Sequence, residues 1–226
     1  MTTTLPPIVG SWSGGKDSCL AFHRAVAAGH EPVALITMLD ETGSRSRSHG
    51  IPPILLRQQA AALGVPLITG DASWSDYEAE FILRLARARD EFGAQAAVFG
   101  DIDLQAHRDW EEMVCKRTGL TAHLPLWQQD RRALVEEMIA TGIRTMIVSC
   151  NETLGPDFLG RIIDAQTVAD LDAAGVDVCG ENGEYHTLVL DAPRFAAPLR
   201  VTTGEKQLHG HYWFIELEPA SDDSAR

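Results

Sequence analysis

The segment Ser13-Gly14-Gly15-Lys16-Asp17-Ser18, entered directly from the apolar run Ile8-Val9-Gly10-Ser11-Trp12, constrains this chain more than any other. A short β-type run, a glycine pair and the helix-compatible stretch Cys19-Leu20-Ala21-Phe22-His23-Arg24-Ala25 describe a strand, a tight loop and a helix. Such a loop aims backbone N–H groups from a helix N-terminus, where the partial positive charge favours a phosphate. The glycines let the backbone approach an anion and adopt positive φ. Ser13 and Ser18 supply hydroxyls, Lys16 a point charge, and Asp17 a carboxylate able to hold magnesium directly or through water. Six matched residues in this context argue against a glycine turn that merely caps a helix.

Gly10 to Lys16 has the spacing of a Walker A loop, but Asp17 follows where that loop needs Ser or Thr, and Gly10 falls inside the strand. The loop instead resembles the pyrophosphate loop (PP-loop) of the ATP pyrophosphatase superfamily, whose members cleave ATP to AMP and pyrophosphate.

With 226 residues, 45% of them hydrophobic, the chain can bury a full core in one large domain or two small ones. No apolar stretch approaches a membrane span, and the N-terminus lacks the basic and hydrophobic regions of a signal peptide, so a cytoplasmic protein is expected. The 19 basic and 32 acidic side chains give a net charge of −13, which does not favour a large RNA partner. Arg84, Arg87 and Arg89 come nearest to a basic patch, but Glu80 and Glu91 at four-residue spacing read as ion pairs along a helix. Cys19, Cys115, Cys150 and Cys179 form no C-x-x-C pair, which argues against a zinc knuckle, an iron–sulfur site or a thioredoxin-like motif and favours buried, reduced thiols for most of them.

Strand-like runs recur at 8–12, 33–39, 66–69, 96–100 and 145–150, separated by helical patterns at 18–28, 53–63, 75–92, 110–117 and 131–141. This alternation predicts an α/β, Rossmann-like parallel sheet with helices on both faces, and a ligand at the carboxyl ends of the strands. Tyr77, Phe81, Leu85, Ala88 and Phe92 repeat at helical spacing and read as core packing. The small polar stretch 42–48 suits a mobile loop or lid before His49-Gly50-Ile51-Pro52. Gly100-Asp101 ends the fourth run, where an acid either meets a nucleotide or caps the next helix. A change of pattern near Gln128 divides the chain into a nucleotide domain, 1–128, and a smaller α/β domain, 129–226, with a polar, frayed tail from Glu218.

A second constellation, Gly180-Glu181-Asn182-Gly183-Glu184-Tyr185-His186-Thr187, stands before the apolar run Leu188-Val189-Leu190. Two carboxylates, an imidazole, an amide and a hydroxyl on a glycine-flexed loop can bind a cation, hold an amine nucleophile or position a carboxylate. The bland alternative is a solvated Asn-Gly bend. His209-Gly210-His211 lacks a third ligand and belongs to a strand pattern running into Tyr212–Leu217.

Together these motifs resemble the diphthine–ammonia ligase family, PP-loop enzymes that amidate a modified histidine on elongation factor 2. The resemblance runs over residues 8 to 200 and rests on residues 13–18, His49-Gly50-Ile51-Pro52, Gly100-Asp101-Ile102, Leu124-Pro125-Leu126-Trp127, and residues 180–187 followed by Leu188-Val189-Leu190-Asp191-Ala192-Pro193. It is to a compact form, without the additional C-terminal domains of some eukaryotic relatives. The resemblance implies ATP and magnesium as cofactors and ammonia as a substrate. The acceptor would carry a carboxylate, on modified elongation factor 2 or on an unknown small molecule. ATP would contact Ser13, Gly14, Gly15, Lys16, Asp17, Ser18, Gly100 and Asp101, with Asp17 as magnesium partner. The acceptor would meet His49, Glu181, Asn182, Gly183, Glu184, His186 and Thr187, and catalysis would fall to Lys16, Asp17, Glu184 and His186. Attack of the carboxylate on the α-phosphate would give an acyl-adenylate that ammonia converts to an amide. Two alternatives stay open: another PP-loop enzyme, such as one that modifies tRNA, and a non-catalytic ATP-binding regulatory module. Oligomeric state is open too.

Overall fold

Ile8–Ser11 (β1) is apolar on both faces, as a strand covered by helices on either side must be. In the computed structural model, which describes residues 5–220, β1 lies at the centre of a five-stranded parallel sheet. Pro32–Leu39 (β2) and Leu67–Asp71 (β3) extend it on one side; Ala96–Val98 (β4) and Thr121–His123 (β5) extend it on the other. The helices Lys16–Ala28 (α1), Pro53–Leu63 (α2), Tyr77–Phe92 (α3) and Gln105–Thr118 (α4) connect successive strands. Alternate residues of each strand divide the core into two layers. Ile8, Leu35, Ala96 and Val98 pack with Leu20, Phe22 and Leu55 of α1 and α2. Val9, Ala34, Ile36 and Ala97 pack with Phe81, Leu85, Val114 and Cys115 of α3 and α4. The expected α/β sheet with helices on both faces is therefore present.

The order β3-β2-β1-β4-β5 reverses between β1 and β4. That reversal opens a crevice where the loops after β1 and β4 diverge, the usual ligand position in such a sheet.

The second sheet is antiparallel, in the order β7-β6-β9-β8, and consists of Arg144–Asn151 (β6), Tyr185–Asp191 (β7), Val201–His209 (β8) and Tyr212–Pro219 (β9). Arg131–Ala140 (α5) and Ala165–Ala173 (α6) pack onto it through Leu134, Val135, Met138, Val168 and Leu171. These residues share one apolar cluster with β1, β6 and β7, so the two sheets are joined by core.

Several expectations are corrected. The run 145–150 is not a strand of the parallel sheet; it lies inside the antiparallel one, and the fifth parallel strand is the short β5. Its apolar residues are those of any strand covered on both faces, so periodicity alone does not assign the sheet. α4 starts five residues before 110. β8 and α6 have no counterpart in the sequence reading; β8 is an edge strand, mostly exposed and polar, without a buried face to generate alternation. Residues 42–48 are a loop, as expected, tied to the end of β2: Asp40 accepts from the backbone N–H groups of Thr42 (3.1 Å) and Ser44 (3.0 Å), and Ser46 bridges back to Leu39. β9 carries Glu218 in register with Thr202, so the strand reaches into the expected tail; residues 221–226 lie outside the described residues. Among the described residues no helix is long and apolar enough to cross a membrane.

Candidate active site

The loop leaving β1 turns through Gly14 at φ 81° and delivers Gly15 as the N-cap of α1 without any side-chain cap. The N-terminal N–H groups of α1 are thus left for other partners. One is engaged across the molecule: the Lys16 N–H donates to Thr187 Oγ1 at 3.0 Å. The Val189 N–H donates to Gly14 O at 2.8 Å, and the His49 ring is bonded to Thr187 O at 2.8 Å. These bonds fasten the first motif to the second. Gly15 is required by crowding, because a Cβ there would lie 2.3 Å from His49 Cε1. Ser13 Oγ accepts from Gly15 N–H and lies 3.0 Å from Ser18 Oγ, keeping the loop closed on itself.

The side chain of Lys16 is buried, and its Nζ lies 2.6 and 2.7 Å from the two Asp17 oxygens, 3.5 Å from Cys179 Sγ and 3.9 Å from Glu181 Oε1. Burial opposes its charge, but Asp17 and the neighbouring groups outweigh burial and hold the ammonium well above the ordinary lysine range. Asp17, Cys179 and Glu181 bring ligand atoms within 4.8 Å of one another. Magnesium takes oxygen ligands and is commonly held by one or two carboxylates plus substrate phosphates. The Asp17 carboxylate fits that chemistry, whereas the Cys179 thiol, pushed up to about 12 by burial, does not.

At the end of β4, Gly100 approaches α1 so closely that a Cβ would lie 2.7 Å from Ser18 N. Asp101 follows and does not cap α4, whose N-cap is Leu104; its Oδ1 is bonded to His107 Nδ1 at 2.7 Å. Glu111 of α4 is buried beside Asp101. Burial, followed by the neighbouring Asp101, pushes the Glu111 carboxyl up to about 11.

The second motif divides into two sets. Glu184 is buried and turned into its own loop, accepting from Asp177 N–H (3.2 Å), Asn182 N–H (3.0 Å) and Asn182 Nδ2 (3.1 Å). Asn182 Oδ1 accepts from Arg131 at 3.1 Å. Glu181 and His186 face the cavity. Burial, followed by the Asp17 charge, pushes the Glu181 carboxyl up to about 7. The rings of His49 and His186 lie against each other at a 45° tilt, with centroids 4.8 Å apart. Burial lowers His49 to about 4, and burial with His49 beside it lowers His186 to about 3, so both rings are neutral at neutral pH.

A cavity of about 490 Å³ collects Ser13, Asp17, Ser18, His49, Asp101, Glu181 and His186, with Tyr77, Phe81, Phe99 and Trp110 as its apolar wall. A smaller one of about 170 Å³ adjoins it and adds Lys16, Gly180, Gly183 and Thr187. The two motifs therefore meet at the switch point, while Asn182 and Glu184 are absent from both linings. Tyr77 and Phe81, read as packing, also form cavity wall. Sequence reasoning missed three residues around the site. Gln59, fully buried on α2, donates to Gly14 O (3.0 Å) and Val189 O (2.8 Å) and accepts from Trp12 Nε1 (2.8 Å). Cys179 and Glu111 are the others. An amide within the apolar run of α2 was the available signal for Gln59; for Glu111 there was none.

Comparison with known proteins adds a lineage to this geometry. Family profiles described as the diphthamide synthase N-terminal domain and the diphthamide synthase C-terminal domain match residues 8–122 and 130–222. A Homo sapiens protein named diphthine–ammonia ligase is 33% identical over 227 residues, covering 87% of this chain and 83% of its own. The Rattus norvegicus protein of that name is 34% identical over the same length and coverage. The Schizosaccharomyces pombe protein is 28% identical over 245 residues, which span 96% of this chain but 40% of that longer protein.

Proposed function

The chain belongs to the diphthamide synthase family, and on that premise we propose that it is an ATP-dependent ligase that joins ammonia to a carboxylate, releasing AMP and pyrophosphate. The observation that carries this reading is the bond from the Lys16 N–H to Thr187 Oγ1, which locks a phosphate-type loop against the Glu181–His186 face in one cavity. In this reading residues 1–128 supply the ATP side and residues 129–226 the acceptor side.

ATP places its phosphates on the Ser13–Ser18 loop, where loop N–H groups and the permanently charged Lys16 stabilise the departing pyrophosphate. Asp17 is the residue that would hold magnesium together with phosphate oxygens, and the ion would supply neutralisation of phosphate charge. The acceptor carboxylate attacks the α-phosphate; one P–O bond forms and the bond to pyrophosphate breaks. Ammonia then attacks the activated carbonyl, AMP leaves with the bonding electrons, and the nitrogen gives up a proton. Glu181 and His186 face that position and offer acceptors for the N–H groups of the incoming nitrogen. Glu184, held within its loop, shapes the backbone that carries them. The acceptor itself is a carboxylate on a modified histidine or on a small molecule.

The test is product analysis with ATP, magnesium and ammonium, with and without fractionated cytoplasmic extract. AMP and pyrophosphate, stimulated by extract and lost on substituting Lys16, are expected. Formation of ADP would overturn the mechanism, and tight ATP binding without turnover would favour a regulatory module.

A further inference from the structure

Arg131 lies at the start of α5, outside both motifs, yet its guanidinium reaches three segments at once. Nε and Nη2 grip Asp103 in a two-pronged pair at 2.8 and 2.9 Å, two residues beyond Asp101 in the loop after β4. Nη1 donates to Asp177 Oδ2 at 2.6 Å and to Asn182 Oδ1 at 3.1 Å. Asp177 passes the connection on, since its carboxylate accepts the N–H groups of Cys179 (3.0 Å) and Glu181 (3.2 Å). Those two residues carry the side chains beside Lys16 Nζ. A planar guanidinium meets several carboxylate and amide oxygens with fixed geometry, which a lysine cannot reproduce.

We propose that Arg131 is a positioning residue that couples the nucleotide loop after β4 to the acceptor loop, setting the place of Glu181 and Cys179 at the reacting centre through Asp177. Arg131 lines neither cavity of the site, so it acts only through these partners. The Arg131 side chain is 29% solvent-accessible, so water screens its pairs and discounts their contribution to stability, while the fixed geometry of the guanidinium is retained. The catalytic consequence rests on the ligase reading above; the positional one does not.

The experiment therefore has two arms, on full-length protein. Amide exchange reads position: Arg131→Met should speed exchange at Cys179 and Glu181 at least tenfold while leaving β1 and β4 protected and the melting temperature within a few degrees. Steady-state AMP release reads consequence: kcat should fall about 10- to 100-fold at saturating ATP, the cost of a misplacement on the order of 1 Å, with KM for ATP little changed. Arg131→Lys should recover only part of either loss. A double-mutant cycle completes the test: Arg131→Met combined with Asp177→Asn should be no slower than Arg131→Met alone. Unchanged exchange at residues 179 and 181 would overturn the proposal, and so would additive losses in the cycle. If the exchange arm succeeds while wild type releases no AMP, the ligase reading fails and the positional claim stands.

Discussion

The two glycine-bearing loops that meet at the site look alike as sequence and behave differently as structure. In Ser13-Gly14-Gly15-Lys16-Asp17-Ser18, the side chains of Ser13, Asp17 and Ser18 face the large cavity and Lys16 the adjoining one. In Gly180-Glu181-Asn182-Gly183-Glu184-Tyr185-His186-Thr187, Asn182 and Glu184 are engaged within the loop or by Arg131, and only part of the polar set faces ligand space. The first loop is supported from both ends by regular structure, a central strand and a helix. The second has a strand only at its far end, so it must build its own scaffold from side chains. A polar residue in a loop can therefore be chemistry or framework, and the strength of the flanking elements decides how many are needed for framework.

That comparison can be broken most sharply at Lys16. Lys16→Met removes the buried charge that the ligase reading assigns to the departing pyrophosphate, and AMP release should fall about 100- to 1000-fold, measured by chromatography of the nucleotide products. A variant with near-normal release would remove the first loop from the mechanism.

The division within the second loop predicts opposite signatures for its two glutamates. Glu181→Gln should lower AMP release about tenfold with an unchanged melting temperature. Glu184→Gln replaces a carboxylate that accepts three N–H groups, so it should destabilise the fold by about 1–3 kcal/mol, read by denaturant unfolding. The same pattern for both residues would erase the distinction between ligand-facing and scaffolding carboxylates.

The smallest effect concerns pH. His49 and His186 titrate near 4 and 3 in the fold, below the ordinary imidazole value, because burial disfavours their charged forms. Between about pH 6.5 and 4 the unfolded chain binds more protons, so the stability from these rings is complete above 6.5 and is lost as the pH falls. Thermal midpoints should decline over that range, and His186→Gln should make the decline shallower by a few degrees. An identical slope would mean that His186 does not carry its share.

Much of this architecture was legible in the chain. The strand–loop–helix at residues 8–25, the parallel strands 33–39 and 96–98 and the helices at 53–63 and 131–140 follow from local periodicity and turn chemistry. The placement of 145–150 was not, because a strand apolar on both faces suits either sheet and the choice depends on pairing with Tyr185–Asp191 and Tyr212–Pro219. β8 stayed hidden because an exposed edge strand need not alternate. Of the candidate site, the residues on the first loop were readable as a set, whereas Gln59, Glu111 and Arg131 depend on partners more than 25 residues away or on a neighbouring helix face, beyond the reach of any spacing rule.

What the sequence by itself determined was the phosphate-type loop, since a strand, two glycines and a helix start within a few residues dictate where N–H groups point. It also determined the class of sheet, because alternating strands and helices close into parallel order with one handedness. Only the tertiary structure decided that the second motif lies on the first, that Glu181 and His186 face the cavity while Glu184 does not, and that Arg131 spans the two loops. Those outcomes depend on the docking of an antiparallel sheet against a parallel one, and long-range docking is set by the shape and hydrogen bonding of whole surfaces, which no short stretch of sequence contains.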